Sequence, residues 1–337
     1  MTRNRAQNSV RAAIVQIAPV LMDAEACLQK ALTYIEEAAS KGCELVVFPE
    51  AYIPCYPKAI TFGSVVGWRT PAGRRDWRRY YDNAVAVGDP IFQALAEAAG
   101  KHGIYLAMGC IEKEPGHGTL YCTVLFFGPD GSYLGRHRKL KPTAGERVVW
   151  GEGDASELTV VDAPFGRFGS VICWENFMPL LRTAMYSKGI EIYIAPTADY
   201  RESWLCTARH IAREGGCFVL SANLCYGRRD YSPEIETVVP PEQMPPGIEN
   251  EGGWMTNGGS AIISPFGEYI VGPVYDSEEI LIADLDMNML AEARIDFDPV
   301  GHYARPDIFK LYVNETPLKH VEFYNDGDKP DKADGEK

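Results

Sequence analysis

A glutamate at the end of an apolar segment is the first residue of this 337-residue chain whose surroundings suggest catalysis. Glu50 follows the apolar run at residues 46–48 and Pro49, and Tyr52 and Tyr56 lie just after it. A carboxylate at a strand end inside an aromatic rim loses hydration, which raises its pKa toward the range of a general base. The alternative is a surface glutamate that opens a loop, and the motif alone leaves both interpretations open.

A basic segment at residues 135–142 contains the second candidate, Lys139. A run of charges usually marks a solvated face. The catalytic interpretation is narrower. It assigns Lys139 as a fixed cation that stabilises developing negative charge, with Glu146, seven residues later, orienting it.

A cysteine that ends a short apolar run is the third candidate. Cys173 closes the predicted strand at residues 170–173, and the chain then turns polar, which would expose the sulfur beside the N–H of the next residue. The alternative is a small core side chain, which describes most of the other eight cysteines. Trp174 and Asn176 follow Cys173 in a cluster that no other cysteine has, and this favours the nucleophile.

These three residues need a framework of strands and helices to bring them together. Helical periodicity and end signals predict helices at residues 23–41 and 89–101. Nine apolar runs predict strands, at residues 12–17, 44–48, 104–111, 121–127, 170–173, 190–195, 217–222, 260–264 and 280–285. Turn motifs at residues 128–131 and 264–267 predict hairpins. The pattern therefore indicates an α/β layered fold with mixed sheets.

Two further segments are irregular or strongly charged. Residues 228–253 are rich in proline and acidic residues, which predicts a long surface loop. A basic cluster precedes it in the chain and predicts a solvated or subunit-contact helix: Arg74, Arg75, Arg78 and Arg79.

Composition excludes several classes of function. Subtracting 46 acidic from 33 basic residues leaves a net charge of −13, which disfavours nucleic acid and anionic membrane surfaces. No apolar run approaches the roughly 20 residues of a membrane span, and we identify no secretion signal. The nine cysteines form no C-x-x-C pair and the six histidines are dispersed, so we expect no metal and a reducing, cytoplasmic location.

Together the motifs resemble the nitrilase branch of the carbon-nitrogen hydrolase superfamily. The resemblance rests on residues 48–50, 138–154 and 173–176, and matches at 178–182, 190–199, 209–212 and 301–307 extend it over about residues 11–312. It implies one domain, residues 1–312, folded as a four-layer α-β-β-α sandwich with two mixed sheets. Residues 313–337 would be an extension, and their composition predicts disorder from about residue 325.

The resemblance also implies roles for individual residues. Glu50 would be the general base, Lys139 the cation, Cys173 the nucleophile and Glu146 a second carboxylate beside the lysine. The residues that we place at the substrate are Tyr52, Trp150, Trp174, Asn176, Phe177 and Thr197. Ala144, Gly145 and Phe177 depart from the residues often found in the family, which leaves the substrate preference open.

The implied reaction is hydrolysis of an organic nitrile by two waters to a carboxylic acid and ammonia, through a covalent Cys173 thioimidate and thioester, without a cofactor. By the same resemblance we expect self-association into dimers and often spiral filaments. An amidase or N-carbamoyl hydrolase would use the same residues. A papain-like pairing of Cys173 with His302 lacks its local signature. Outside the enzymes, the alternative is an idle scaffold with an acidic surface.

Overall fold

Two mixed β-sheets organise the computed structural model, which describes residues 7–249, 252–319 and 321. The strands are β1 (Ser9–Gln16), β2 (Leu45–Val47), β3 (Ser64–Val65), β4 (Trp68–Arg69), β5 (Tyr105–Lys113), β6 (Leu120–Phe127), β7 (Tyr133–Arg138), β8 (Val160–Ala163), β9 (Gly166–Ser170), β10 (Ile192–Thr197), β11 (Phe218–Asn223), β12 (Cys225–Gly227), β13 (Trp254–Ile263), β14 (Tyr269–Tyr275) and β15 (Glu279–Asp286). The helices are α1 (Ala24–Ser40), α2 (Pro71–Asp82), α3 (Pro90–His102), α4 (Pro179–Ser187), α5 (Glu202–Gly215) and α6 (Met289–Asp296).

The first sheet has the order β15-β1-β2-β5-β6-β7, and the second has the order β12-β13-β11-β10-β9-β8, with β14 paired to β13. Strands β1, β2 and β5 run parallel to one another, as do β9, β10 and β11, and the remaining pairs are antiparallel. The prediction of mixed sheets is therefore confirmed.

The layers follow from which faces are apolar. The inner faces of the sheets pack together in a buried core, where the rings of Phe126 on β6 and Phe168 on β9 lie 5.9 Å apart. Helices α1 and α3 pack against each other on the outer side of the first sheet, and α5 covers the second sheet around Trp204. This arrangement is the α-β-β-α sandwich that the resemblance implies.

Helices α1 and α3 begin and end where local chemistry indicated. Asp23 accepts a hydrogen bond from the N–H of Ala26, and Asp89 accepts one from the N–H of Phe92, so each caps its helix. Gly103 ends α3 with a φ of 65°, a left-handed conformation that glycine adopts without a Cβ clash. Both predicted hairpin turns are also confirmed, between β6 and β7 and between β13 and β14.

The basic helix α2 is tied to the proline-rich segment. Arg75 makes a bidentate ion pair with Glu236, with N–O distances of 2.7 and 2.8 Å. The buried carboxylate of Asp76 accepts hydrogen bonds from the backbone N–H and the hydroxyl of Thr237, at 2.7 and 2.6 Å. The predicted surface loop is therefore real at residues 228–249, but α2 holds it against the body of the protein.

The disordered end predicted from residue 325 lies outside the described residues, and the boundary between residues 312 and 313 stays a prediction. None of the helices in the described part of the chain has the length and apolar character needed to cross a bilayer.

Candidate active site

The three candidate catalytic residues lie just beyond the carboxyl ends of three strands. Glu50 follows β2 and Lys139 follows β7 in the first sheet, whereas Cys173 follows β9 in the second. All three side chains are buried, with residue exposures of 0, 1 and 5%. The site is therefore assembled between the two sheets, from residues up to 123 positions apart in the sequence.

The backbone around the site is strained. Cys173 has a φ of 50° and Ala51, next to Glu50, has a φ of 52°, both in the left-handed region that non-glycine residues rarely adopt. Strain of this kind gathers at functional sites where the surrounding structure enforces it. Gly109 on β5 permits the approach of the Glu50 segment, because a Cβ there would lie 1.8 Å from the carbonyl oxygen of Pro49. Cys173 thus begins a short 3-10 helix, Cys173–Phe177, rather than ending a strand.

A lysine between two carboxylates forms the polar centre. The Lys139 ammonium donates to Oε1 of Glu50 at 2.7 Å and to Oε2 of Glu146 at 2.8 Å. The hydroxyl of Tyr56 donates to the other oxygen of Glu146 at 2.8 Å. Oε2 of Glu50 is buried without a hydrogen-bond partner among the described residues, so it is free to accept a proton. This arrangement would let Glu146 hold the lysine while Glu50 acts as a base.

Burial and the neighbouring charges together set the protonation states of Glu50, Lys139 and Cys173. Burial raises the pKa of Glu50 to about 6, although the attraction of Lys139 opposes the rise. Burial would lower the pKa of Lys139, but the negative charges around it, that of Glu50 first, outweigh burial and raise its pKa. Burial and then the charge of Glu50 raise the pKa of the Cys173 thiol. The thiol is therefore protonated at rest and needs a base to become a nucleophile.

Several predicted substrate residues lie around Cys173 and Lys139. The Thr197 hydroxyl, at the end of β10, donates to the Cys173 sulfur at 3.1 Å. The indole N–H of Trp174 donates to Asp199 at 2.8 Å. Trp150 is nearly buried, with its ring centroid 5.6 Å from the Lys139 ammonium.

Three other predicted substrate residues are placed elsewhere. Tyr52 is fully buried and its hydroxyl donates to the carbonyl of Cys27, so it has no surface toward a substrate. Asn176 is also buried, and its amide donates to the carbonyls of Val171 and Cys173, which makes it a support of the backbone turn. Phe177 is half exposed and packs edge-on against Trp174, outside the lining of the pocket.

His302, the alternative partner of Cys173, lies away from the cysteine, and two further tryptophans do not line the pocket. Trp204 lies in the core between the second sheet and its covering helices, and its indole N–H donates a hydrogen bond to the Ser221 hydroxyl. Trp68 is exposed on the β3–β4 hairpin. His302 is exposed and packs against the ring of Tyr303. The structure therefore does not bring His302 to the buried Cys173.

Two adjoining cavities lie next to the Cys173, Glu146 and Trp150 side chains, with volumes of about 250 and 520 Å³. The smaller cavity reaches Cys173 and has polar walls at Asp199 and Arg201. The larger cavity is mainly apolar, with Ile60 and Trp150 in its walls. The residues common to both are Tyr56, Lys58, Thr143, Glu146, Ala198 and Ile248.

Lys58 is a pocket residue that the sequence did not indicate. Its ammonium lies 4.4 Å from the ring centroid of Tyr200 and donates to the carbonyl of Met255. Burial lowers its pKa to about 8, although the charge of Asp199 opposes this. A lone lysine between Pro57 and an alanine carries no pattern from which this position could be inferred.

Comparison with known proteins agrees with this geometry. The family model described as carbon-nitrogen hydrolase matches residues 11–295. The chain belongs to the carbon-nitrogen hydrolase family. It is 51% identical over 318 residues to the bifunctional nitrilase/nitrile hydratase NIT4A of Lupinus angustifolius, covering 94% of this chain and 89% of that protein. It is also 51% identical over 312 residues to an aliphatic nitrilase of Sinorhizobium fredii, covering 92% of this chain and 97% of the other.

Solved structures of this carbon-nitrogen hydrolase family share the fold at lower identity. Nit3 of Saccharomyces cerevisiae, a member of branch 10 of the nitrilase superfamily, superposes with a TM-score of 0.67 and 23% identity, covering 88% of this chain and 97% of that one. A carbon-nitrogen hydrolase from Helicobacter pylori superposes with a TM-score of 0.70 and 21% identity, covering 90% and 98%. At these identities the likeness concerns the fold alone.

Proposed function

We propose that this carbon-nitrogen hydrolase is a nitrilase, which converts an organic nitrile and two waters into a carboxylic acid and ammonia. The observation that carries the proposal is a buried cysteine at the floor of a pocket, beside a carboxylate and a lysine that contact each other. The identity of about 50% to proteins named as nitrilases supports the choice of a nitrile over other carbon-nitrogen substrates.

The first half of the reaction forms a covalent bond. Glu50 takes the proton of the Cys173 thiol, and the sulfur attacks the nitrile carbon. One π bond of the nitrile breaks, and its electron pair goes to nitrogen, which receives the proton back from Glu50 to give a thioimidate. Lys139 and the backbone N–H of Trp174 stabilise the negative charge that develops at nitrogen.

The second half uses two waters. Glu50 removes a proton from the first water as it adds to the thioimidate carbon, and it then delivers that proton to the nitrogen. The result is a tetrahedral adduct that carries a hydroxyl and an amino group. When Glu50 moves the hydroxyl proton to that nitrogen, the carbon–nitrogen bond breaks, ammonia leaves and the oxygen forms the carbonyl of a thioester. A second water, activated in the same way, releases the acid and returns the thiol. If the tetrahedral adduct formed by the first water lost its carbon–sulfur bond instead of its carbon–nitrogen bond, an amide would be released.

The direct test is ammonia release from matched nitrile and amide pairs built on phenylacetonitrile, benzonitrile, 3-cyanoalanine and an aliphatic nitrile. We expect release from at least one nitrile and none after Cys173→Ala. Cys206→Ala is the matched control, because Cys206 is the exposed cysteine and lies outside the pocket lining. Faster turnover of amides than of nitriles would identify an amidase, and silence on both would leave an N-carbamoyl substrate or a scaffold.

We also propose that the protein self-associates into dimers and filaments. Apolar side chains exposed at the start of α4 support this, since Phe177, Met178 and Leu180 are 49, 38 and 65% exposed. Sedimentation velocity over a range of concentrations tests it, and a monomer at every concentration would contradict it.

A cytoplasmic location is the remaining part of the proposal. All nine cysteines have free thiols, and eight of them are buried, as expected in a reducing compartment. Fractionation of the cells that produce the protein tests this, and recovery from an oxidising compartment would contradict it.

A further inference from the structure

A single buried carboxylate connects the nucleophile segment to the lysine segment. Oε1 of Glu175 accepts the N–H of Ile172 at 2.5 Å, and its Oε2 accepts the N–H of Leu140 at 2.8 Å. Ile172 immediately precedes Cys173, and Leu140 immediately follows Lys139. Because Lys139 follows a strand of the first sheet and Cys173 one of the second, this carboxylate spans the gap between the sheets at the site.

The partner of this carboxylate is a histidine whose protonation follows from its contacts. His137 Nε2 lies 2.6 Å from Oε1 of Glu175, and its Nδ1 lies 3.3 Å from the backbone carbonyl oxygen of Glu157. Both neighbours are acceptors, and this favours a ring with a proton on both nitrogens. The contacts therefore favour the imidazolium form of the buried His137. Burial alone would lower its pKa, but the charge of Glu175 and a smaller contribution from Glu157 raise it.

We propose that Glu175, held by the His137 imidazolium, is a positioning residue that fixes the Cys173 sulfur relative to the Lys139 ammonium. Strand β9 ends at Ser170, so its ladder of hydrogen bonds does not hold Cys173. Beyond that end, Glu175 accepts the N–H of Ile172, the residue just before the strained Cys173. A displacement of about 1 Å between reacting groups can cost roughly 100-fold in rate. The effect would therefore fall on kcat, because Glu175 does not line the pocket.

Glu175→Gln is the principal test, and it rests on the proposed function for its substrate. The glutamine side chain has nearly the same size, but it has one acceptor oxygen for the three donors on His137, Leu140 and Ile172. Its NH₂ group would face at least one of these N–H groups without forming a hydrogen bond. We expect kcat to fall about 100-fold, as for a misplaced nucleophile, with KM nearly unchanged. A kcat equal to that of the wild type would overturn the proposal.

The matched control is Glu191→Gln. Glu191 is also a buried carboxylate that accepts a backbone N–H, that of Arg167 at 2.9 Å, but it lies at the amino ends of β9 and β10, whereas Cys173 lies beyond the carboxyl end of β9. We expect its kcat to stay within about twofold of the wild type while its Tm falls, because a buried hydrogen bond to a charged group is weakened. Equal losses of kcat in the two variants would show that Glu175 is merely structural and would overturn the proposal.

Histidine protonation gives an independent check. An ordinary histidine, with a pKa of about 6.5, is neutral at pH 8. In protein labelled with ¹⁵N at its six histidines, we expect one imidazolium signal at pH 8 that disappears in His137→Gln. We expect kcat of His137→Gln to lie between those of the wild type and Glu175→Gln, because a neutral amide donor replaces the charge. No imidazolium signal at pH 8 would overturn the role of His137.

Two measures keep the test decisive. If Glu175→Gln does not fold, Glu175→Asp retains the charge but is one methylene shorter, and wild-type kcat in it would overturn the proposal. If the wild type hydrolyses neither nitriles nor amides, the proposed function fails, and alkylation of Cys173 by iodoacetamide replaces turnover. Its rate should then differ between Glu175→Gln and Glu191→Gln, and equal rates would overturn the positioning role.

Discussion

The pocket has a rigid floor and a looser wall, and the two are built by different physical means. The floor is Cys173 together with three buried charged residues that support it without lining the pocket: Glu50, Lys139 and Glu175. All four are at most 5% exposed, and buried charge-assisted hydrogen bonds join Lys139 to Glu50 and Glu175 to the backbone that follows Lys139. The wall is residues 231–249, which carries Gly247 and Ile248 into the pocket lining. Two ion pairs join it to α2, and the bidentate one, Arg75–Glu236, has side chains that are 59 and 41% exposed.

From this difference we expect the floor to determine the rate of the reaction and the wall to determine which substrates bind. Charges on the floor interact at low effective dielectric and have little freedom to reorganise, which is what stabilisation of a charged transition state requires. Exposed ion pairs are screened and contribute little, so the wall can change in sequence and shape at small cost to the fold. We therefore expect floor variants to change kcat and wall variants to change KM.

The largest effect should come from removing the base. Glu50→Gln is nearly isosteric, so we expect folding to persist while kcat falls by a factor on the order of 10³, as is typical for the loss of a general base. Steady-state kinetics together with circular dichroism measure the two properties. An unaltered kcat would mean that Glu50 is structural.

The pH profile should show a smaller but more specific effect of the floor. Burial raises the pKa of Glu50 to about 6, and the proposed base must be ionised to act, so activity should be full above that pH and decline as the pH falls through it. The charge of Glu146 also raises the pKa of Glu50. Glu146→Gln should therefore move the acid limb of kcat/KM to lower pH, by on the order of 1 unit. A limb that stays in place would remove Glu50 as its source.

A moderate effect confined to KM should follow from loosening the wall. Asp76→Asn replaces a buried carboxylate, 2% exposed, by a group that cannot accept all of the wall's hydrogen bonds. Leaving a buried donor unsatisfied costs about 1–3 kcal/mol, so the docked wall becomes less populated and KM rises several-fold. Arg78→Ala, at a side chain 80% exposed, is the control. A fall in kcat with constant KM would abolish the distinction between floor and wall.

The smallest effect should come from the exposed pair itself. Arg75→Gln removes the bidentate contact with Glu236, yet solvent screens both groups. We expect no measurable change in Tm or kcat, and at most a slight rise in KM. Thermal unfolding at low and high salt checks this, and a large destabilisation at low salt would show that the wall is held mainly by charge.

Local chemistry determined much of the framework. Asp23 and Asp89 indicated the starts of α1 and α3, and the turns at residues 128–131 and 264–267 indicated hairpins, because caps and turns depend on residues a few positions apart. The sequence indicated α2 only as a helix around its four arginines, without bounds, and did not indicate α4, α5, α6 or most of the short strands. Their boundaries depend on packing against distant elements, which no local pattern encodes.

The same division holds for the site. The motifs around Glu50, Lys139 and Cys173 identified the candidate residues, since unusual polar residues next to apolar segments can be recognised from the sequence. The direction in which each neighbouring side chain points could not be inferred from the sequence. Tyr52 turns into the core and Lys58 reaches the pocket because the packing of both sheets decides which way each residue faces. Likewise, the contact of Glu175 with Ile172 is a local cap three residues apart, but Leu140 and His137 come within reach of the same carboxylate only when the two sheets meet.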